Sequence, residues 1–128
     1  MIIINALSQL IQSGDWKGEK HVPVIHCPEK VKLDTPFEIK VSIGDAVPHP
    51  NTFEHHIVWI KVFFQPEGSK FPTEVASFRF SAHGEGETFT DPVGLTQIKI
   101  KKSGTIYAMS YCNIHGLWEN SKQISLEE

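Results

Sequence analysis

Residues 37–43 read FEIKVSI, and apolar side chains occupy every second position of this segment. Side chains in a β-strand point alternately to the two faces of a sheet, so the pattern predicts a strand with one buried face. Alternation, or a run of β-branched and aromatic residues, returns several times farther along the chain. These patterns predict further strands over residues 56–64, 75–80, 95–101, 104–111 and 121–126.

Segments rich in proline, glycine and charged residues separate these strands, and they have the composition of turns. They lie at residues 28–30, 34–36, 66–69 and 83–86. About seven short strands at this spacing predict an all-β fold, an immunoglobulin-like antiparallel sandwich. The segment Lys102-Ser103-Gly104 looks like the turn of a hairpin between two consecutive strands.

The N-terminal segment has a different periodicity. Its apolar residues recur at steps of three and four, which favours a short amphipathic helix over a loop ahead of the strands. The segment Ser13-Gly14-Asp15 would end that helix. The residues of this stripe are Ile2, Ile3, Ala6, Leu7, Leu10 and Ile11.

The composition fits one globular domain over residues 1–128. A chain of 128 residues can bury enough surface for a core of its own, and 40% hydrophobic residues argue against disorder. The net charge of −3, with Arg79 as the only arginine, gives no indication of binding to nucleic acid or to an anionic membrane. No segment reaches the roughly 18 apolar residues that a membrane span requires.

Two cysteines, Cys27 and Cys112, allow at most one disulfide and exclude a disulfide framework. The N-terminus has neither the basic region nor the small-residue cleavage site of a signal peptide. We therefore expect a cytoplasmic protein whose two thiols stay reduced.

Histidine is unusually frequent, with seven in the chain, and most of these residues fall in three short segments. The segments are EKHVP at residues 19–23, HPNTFEHH at 49–56 and CNIHG at 112–116. All three lie at predicted strand ends or in loops, where a rigid scaffold usually presents functional groups. We therefore expect the chemistry of the chain in these segments.

In the third segment, Cys112 and His115 stand at the spacing Cys-x-x-His, just before Gly116. A tight turn with this spacing lets a thiolate and an imidazole reach one metal ion. The alternative is a buried cysteine beside a surface histidine, because short metal motifs often match by chance.

In the second segment, His55 and His56 are adjacent, and at the start of a strand their side chains point to opposite faces. At most one of them then shares a site with His49, and only if the loop between them folds back. The alternative is that these are solvated loop histidines.

In the first segment, His21 follows Glu19 and Lys20. A lysine next to a glutamate is usually a solvated surface pair. Beside a metal, however, Lys20 would raise the local concentration of an anionic substrate. Glu19 could close an open metal position or move away from it.

The remaining residues of these types have no such neighbours. His26 and His83 are expected to be structural or exposed, and Cys27 fits a small buried hydrophobe or a thiol at the rim better than a ligand. The three tryptophans are expected to anchor the core or an interface. They are Trp16, Trp59 and Trp118.

Taken together, four imidazoles and one thiolate are too many for a closed tetrahedral zinc site. They suit a five-coordinate transition metal with one position open to substrate. A thiolate opposite that position donates electron density to the metal, as the haem thiolate does in oxygen-activating enzymes. The donor set therefore favours redox chemistry with a small oxygen species.

Three strings carry a family resemblance: EKHVPVIH at 19–26, PHPNTFEHHIVWI at 48–60 and SYCNIHGLWEN at 110–120. In this order they resemble the iron-site segments of the superoxide reductases, or neelaredoxins, and of the catalytic domain of desulfoferrodoxin. The resemblance runs from residue 13 to the C-terminus, which is nearly the whole chain.

The resemblance implies one non-haem iron ion per chain, cycling between Fe2+ and Fe3+, with an axial cysteinate from Cys112. It implies that Glu19 binds the sixth position in the oxidised state and that Lys20 attracts superoxide. His56 falls on a position that is not a ligand. The equatorial ligands that the resemblance implies are His21, His49, His55 and His115.

The resemblance also implies a reaction, the one-electron reduction of superoxide to hydrogen peroxide, followed by re-reduction from a rubredoxin-like electron donor. Upstream of Cys112 only Cys27 is present, so the one-iron class is implied, and that class implies a homotetramer. The chain departs from the family pattern at His26-Cys27 and in a shorter loop after His83-Gly84.

The residues alone leave two other functions open. Cys-x-x-His also occurs near the blue-copper sites of electron-transfer proteins built on similar sandwiches. Such sites carry an axial methionine, however, and the methionines of this chain are Met1 and Met109. A non-catalytic binding sandwich would leave the histidine segments unexplained. Metal content separates these functions, since they require iron, copper or no metal.

Overall fold

The computed structural model describes residues 5–127, and their backbone forms two β-sheets that share one core. The strands are β1 (Val24–His26), β2 (Lys30–Val31), β3 (Phe37–Ser42), β4 (Ile57–Pro66), β5 (Thr73–Arg79), β6 (Val93–Ile98), β7 (Gly104–Cys112) and β8 (Gly116–Leu126). Two short 3-10 turns, Leu7–Gln9 and Glu85–Glu87, complete the described elements.

One sheet has the strand order β1-β3-β6, and the other has the order β2-β8-β7-β4-β5. Neighbouring strands are antiparallel, except that the two-residue strand β2 runs parallel to β8. The predicted all-β sandwich is confirmed. No helix among the described residues has the length and apolar character needed to cross a membrane.

The core is built from alternate residues of strands in both sheets. Ile39 and Val41 of β3 are fully buried in one cluster with Ile60 and Val62 of β4 and with Ile106 of β7. Burying a side chain of this size contributes about 1.5–3 kcal/mol relative to leaving it in water. The alternation that predicted the strand at residues 37–43 is therefore the signal of this core face.

The predicted hairpin at Lys102-Ser103-Gly104 is wrong, because this segment joins strands of different sheets. Strand β6 lies at the edge of the three-stranded sheet, and β7 pairs with β4 and β8 in the other sheet. Gly104 is needed where the chain enters β7, since a Cβ there would overlap the carbonyl oxygen of Gln65. The glycine reflects this close approach of two backbones and is not a hairpin signal.

Over the described residues the N-terminal segment follows the loop alternative, and the favoured amphipathic helix does not form. Only the single turn Leu7–Gln9 forms, with Leu7 and Leu10 exposed, while Ile2 and Ile3 lie outside the described residues. Farther on, the backbone of Gln12 bonds to β8, from its N to Leu117 O at 2.9 Å and from Glu119 N to its O at 2.8 Å. Strand β2 pairs only with the C-terminal end of β8. The backbone groups at the N-terminal end of β8 are therefore available to bind Gln12.

The three segments singled out by the sequence meet at one end of the sandwich. At that end β4 begins, β7 ends and β8 begins, with Ile57 opposite Cys112 and Cys112 opposite Gly116. The loop of residues 49–56 leads into β4, and the turn of residues 113–115 joins β7 to β8.

Candidate metal centre

Four candidate ligands from the three segments converge on one point. One ligand atom from each of His21, His49, His55 and Cys112 lies within 4.8 Å of the others. His115 joins them, because its Nδ1 lies 3.1 Å from His21 Nε2 and 3.9 Å from Cys112 Sγ. The structure thus brings together five of the residues that the sequence singled out.

Cys112 is the last residue of β7 and is fully buried. Gly116 follows the turn with a φ of 79°, which reverses the chain into β8 and brings His115 back toward the cysteine. The backbone N–H of His115 donates to Cys112 Sγ at 3.4 Å. This amide is a hydrogen-bond donor from the turn of residues 113–115 to the sulfur.

Asn113 ties the cysteine turn to the neighbouring loop. Its side-chain Nδ2 donates to the carbonyl of Glu54 at 2.9 Å, and its Oδ1 accepts from the backbone N of His56 at 2.9 Å. Each of these bonds spans more than 50 residues of sequence, so sequence reasoning missed the role of this asparagine.

The hydrogen bonds of His49 fix which of its nitrogens can bind a metal. Its Nδ1 lies 2.7 Å from the carbonyl oxygen of Pro50, which can only accept, so Nδ1 carries the hydrogen. The lone pair of Nε2 then faces Cys112, whose Sγ is 3.6 Å away. This tautomer is the one that binds a metal through Nε2.

The Nε2 atom of His55 is buried and has no hydrogen-bond partner within residues 5–127. Leaving such a group unpaired costs about 1–3 kcal/mol, so native proteins rarely retain one without a reason. A metal ion among the five side chains would bind this lone pair. The unpaired nitrogen therefore fits a metal site.

His21 is oriented on both sides by neighbouring side chains. Glu19 Oε1 accepts from its Nδ1 at 2.7 Å, so Nε2 faces the other ligands as a lone pair. The ring of Trp118 stacks on His21, with centroids 4.7 Å apart and planes at 11°. The indole N–H of Trp118 donates to the carbonyl of His115 at 3.2 Å.

Trp118 thus contacts two candidate ligands, a role that sequence reasoning missed. The sequence predicts only an anchor of the core or an interface, and the residue is indeed buried. The sequence signal that could have indicated this role is the position of Trp118 three residues after His115, just after the chain turns back into a strand.

The four imidazoles form a square. Centroids of neighbouring rings are 4.8 Å apart for His21–His49, 4.7 Å for His49–His55, 5.0 Å for His55–His115 and 4.8 Å for His115–His21. The diagonal from His21 to His55 is 6.3 Å. Two nitrogens bound at right angles to one transition metal, at about 2.1 Å each, lie about 3.0 Å apart. The 3.1 Å between His21 Nε2 and His115 Nδ1 matches this spacing.

The ionisation of the histidines also suits a metal. Burial lowers the pKa of His49 to about 4, and the positive charges of neighbouring imidazoles and of Lys20 add to this effect. Burial is likewise the main cause that lowers the pKa of His21 and of His55. These rings are therefore neutral near pH 7, which is the form that binds a metal.

Glu19 and Lys20 lie beside the square. The Oε1 atom of Glu19 accepts hydrogen bonds from the ring and the backbone N of His21, which hold the pKa of the carboxyl below its ordinary value. The structure therefore places Glu19 behind His21, outside the group of candidate ligands. Lys20 is half-buried, and it forms no ion pair within the part of the chain that the structure describes.

The other histidines and Cys27 stay apart from the square. The ring of His56 stacks on that of His83, so the adjacent pair His55–His56 divides between two environments. His83 was expected to be either structural or exposed, and it is buried. His26 is exposed and pairs with Asp45 at 2.8 Å, and Cys27 is a half-buried free thiol.

Comparison with known proteins gives consistent matches. The model of the family described as Desulfoferrodoxin matches residues 13–121. The neelaredoxin of Megalodesulfovibrio gigas is 48% identical, over 94% of this chain and 98% of its own length. The superoxide reductase of Pyrococcus furiosus is also 48% identical, over 94% of this chain and 99% of its own length. The solved superoxide reductase (neelaredoxin) of Archaeoglobus fulgidus in the reduced form is similar with a TM-score of 0.84 and 50% identity, covering 91% of this chain and 99% of that one.

Proposed function

The chain belongs to the desulfoferrodoxin family, and from that premise we propose that it is a superoxide reductase, an oxidoreductase that reduces superoxide to hydrogen peroxide. The observation that carries the proposal is the square of four imidazoles next to one buried cysteine sulfur. Relatives that are 48% identical over nearly their whole length carry the names neelaredoxin and superoxide reductase.

We assign one iron ion per chain to this centre. Iron bound there supplies the Fe2+/Fe3+ couple that delivers one electron to superoxide. The protein contributes nitrogen lone pairs from neutral rings and a sulfur whose electron density the His115 amide withdraws in part, which tunes the metal. The unpaired Nε2 of His55 supports the presence of an ion. The ligands that we propose are His21, His49, His55, His115 and Cys112.

Lys20 is the residue that we propose for attracting the substrate. The chain as a whole has a net charge of −3 and repels an anion, so a positive charge beside the centre is needed to draw superoxide in. The charge of Lys20 is near enough to lower the pKa of His21, His49 and His55, after the larger effect of burial. Each superoxide also takes up two protons, and the ammonium group can hold the water that delivers them.

We propose two positions for Glu19. In one, its carboxylate accepts the two hydrogen bonds from His21 and lies outside the group of ligands. In the other, which the family resemblance implies for the oxidised state, the carboxylate would bind the iron as a further ligand. Glu19 lies only two positions before His21 in the sequence, which keeps its carboxylate close to the centre.

The electron must return from an external donor, and we propose a rubredoxin-like protein. Phe53 and Ile114 support a docking surface at the centre, because 74% and 56% of these apolar residues is exposed. Phe53 lies two residues before His55, and Ile114 lies between Cys112 and His115. The bond from Asn113 Nδ2 to Glu54 O brings these two segments together.

Three further proposals concern the whole chain. The homotetramer rests on the family resemblance. A cytoplasmic location is supported by the two free cysteines, Cys27 and Cys112. A single domain over residues 1–128 is supported by the core cluster of the described residues, which takes side chains from both sheets.

Metal analysis combined with a superoxide assay tests the function. We expect one iron per chain, a thiolate-to-iron charge-transfer band in the oxidised protein, and consumption of superoxide without release of oxygen. Copper in place of iron would support an electron-transfer protein, and release of oxygen would indicate a dismutase. The copper alternative lacks its axial ligand among the described residues, since Met109 lies with Phe63 and Tyr107 in a separate cavity.

A further inference from the structure

Two histidines outside the group of candidate ligands stack on each other. One is His56, the last residue of the loop of residues 49–56, and the other is His83. The rings of His56 and His83 have centroids 3.5 Å apart and planes at 8°. His83 is only 6% exposed, although it lies in the connection between β5 and the turn Glu85–Glu87. A buried imidazole needs partners for both ring nitrogens, so its partners identify its protonation state.

Both ring nitrogens of His83 face oxygen atoms. Nε2 lies 2.8 Å from the carbonyl oxygen of Phe80, and Nδ1 lies 2.7 Å from Oδ1 of Asn51. The far end of the Asn51 amide fixes its orientation, because Nδ2 donates to the carbonyl of Thr90 at 2.9 Å. Turning the amide over would set two oxygen atoms against each other. His83 therefore satisfies both partners only with a hydrogen on each nitrogen, as an imidazolium.

Two neighbours of His83 suit a positive charge. The carboxylate of Glu85 accepts a hydrogen bond from the backbone N of His83 at 3.0 Å, which sets a negative charge beside the residue. His56 presents its π face to the His83 ring, a favourable arrangement for a cation. The Nδ1 of His56 donates to the carbonyl of Thr52 at 2.8 Å, which holds that ring in place.

The partners of His83 lie at both ends of the loop that carries two candidate ligands. Asn51 follows His49 by two residues, and His56 follows His55 directly. The backbone N of His56 is held in turn by Asn113, the residue after Cys112. One buried ring thus touches both ends of the segment 49–56 from outside the metal centre.

We propose that His83 is a positioning residue that, as a buried imidazolium, bonds Asn51 and stacks on His56, and so fixes the spacing of His49 and His55 around the metal. This inference rests on the proposed function, because it takes those two histidines as ligands. Hydrogen bonds from a charged donor are roughly twice as strong as neutral ones. A protonated ring therefore holds the loop more firmly than a neutral side chain of the same shape.

The first test measures the protonation of His83 directly. Nitrogen-detected NMR of the imidazole rings, on the zinc-substituted protein near pH 7, is expected to show hydrogens on both ring nitrogens of His83. The signals are assigned by their absence in His83→Phe. A ring protonated on one nitrogen only would overturn the inference, and the measurement needs no variant to be active.

The second test measures the metal site of His83→Phe, which keeps a flat ring against His56 and loses both N–H groups. We expect Co2+ to bind about tenfold more weakly, at the lower end of the range for removing a ligand's own hydrogen-bond partner because His83 acts through Asn51 and His56, with a shift of the cysteine-to-cobalt charge-transfer band. The matched control is Phe64→Leu, a buried substitution near the opposite end of β4. Even where Phe64→Leu lowers the thermal stability as much as His83→Phe does, it should leave the Co2+ affinity and the charge-transfer band unchanged.

The outcomes separate this inference from the proposed function. If the unaltered chain binds Co2+ and His83→Phe binds it equally well with the same band, the inference alone is wrong. If Phe64→Leu weakens binding as much as His83→Phe, the effect is one of general stability and the inference is again wrong. If the unaltered chain binds no Co2+, the proposed function fails and the inference fails with it.

Discussion

Two segments of the chain place a cysteine near a histidine at a strand end, yet only one of them builds a metal centre. At the end of β1, His26 turns its Nε2 to Asp45 at 2.8 Å, and the carbonyl of Cys27 accepts a hydrogen bond from Lys122 at 2.8 Å. At the end of β7, Cys112 is fully buried, within 4 Å of ring nitrogens from two histidines.

The difference lies in how many segments converge. Around Cys112 the loops before β1 and β4 and the turn before β8 meet, and each brings one or two imidazoles to the same point. The partners of His26 are an aspartate and Ser42, and burial raises the pKa of the Cys27 thiol. The histidine next to Cys27 therefore bonds a carboxylate and a hydroxyl group, whereas Cys112 is surrounded by several imidazole rings.

Substituting each cysteine tests this comparison with the largest expected effect. Cys112→Ser should abolish the thiolate-to-iron charge-transfer band and superoxide reduction, because the sulfur donor is lost. Cys27→Ser should keep both, since no candidate ligand depends on it. Visible spectra of the oxidised proteins and a superoxide-consumption assay measure the result. A band that survives in Cys112→Ser, or one lost in Cys27→Ser, would contradict the ligand assignment.

Substituting one histidine from each segment separates binding from stability. His55→Phe should weaken metal binding by more than about 100-fold, beyond the usual effect of removing a ligand's partner. It should also stabilise the metal-free chain by about 1 kcal/mol, because it removes a buried nitrogen without a hydrogen-bond partner among the described residues. Metal titration and urea unfolding give the two numbers.

The matched variant is His26→Phe. It removes a partly exposed pair with Asp45, so stability should fall by about 0–1 kcal/mol and metal affinity should not change. A metal-free His55→Phe chain that is less stable than His26→Phe would show that the unpaired nitrogen of His55 has a partner in solution.

The comparison of the two cysteine segments also shows how much of the fold and the site could be predicted from the sequence. The five clustered side chains stand in short segments whose residue types already indicate metal binding, and alternation predicted the core face of β3. The crossover at Gly104 was missed, because a glycine chosen for a close backbone approach has the same local signature as a hairpin turn. The contacts of Trp118 with His21 and of His83 with Asn51 join residues far apart in sequence, which no local pattern encodes.

Substituting the lysine that lies beside each of the two segments should have a smaller effect, and one that depends on salt. Lys20→Ala should slow the reaction with superoxide about tenfold at low ionic strength, the lower range for electrostatic attraction of a charged ligand. The difference should shrink as salt rises, since dissolved ions screen the attraction between Lys20 and an anion approaching through solvent. Lys122→Ala removes the same charge beside Cys27 and should leave the rate nearly unchanged. Equal salt dependence in both variants would mean that only the net charge matters.

The pH dependence of the metal-free chain gives the smallest and most gradual contrast, because the two segments should lose stability at opposite ends of the scale. The pKa of His49 falls from an ordinary 6.5 to about 4, so the unfolded chain binds more protons between these values and stability decreases as the pH falls through them. The lowered pKa values of His21 and His55 act in the same direction. Carboxylates such as Glu19 add to the loss only near and below their ordinary value of 4.5, so the histidines dominate between 6.5 and 4.5.

At the alkaline end the sign reverses for Cys27. Burial raises the pKa of its thiol above the ordinary 9.0, so the unfolded chain loses the proton first and stability decreases as the pH rises past that value. Urea unfolding from pH 4.5 to 10 should therefore show two separate losses. His49→Gln should flatten the acid one and Cys27→Ser the alkaline one. If either substitution altered both, the two segments would be coupled through the sandwich, and they could no longer be treated as independent sites that differ only in how many loops reach them.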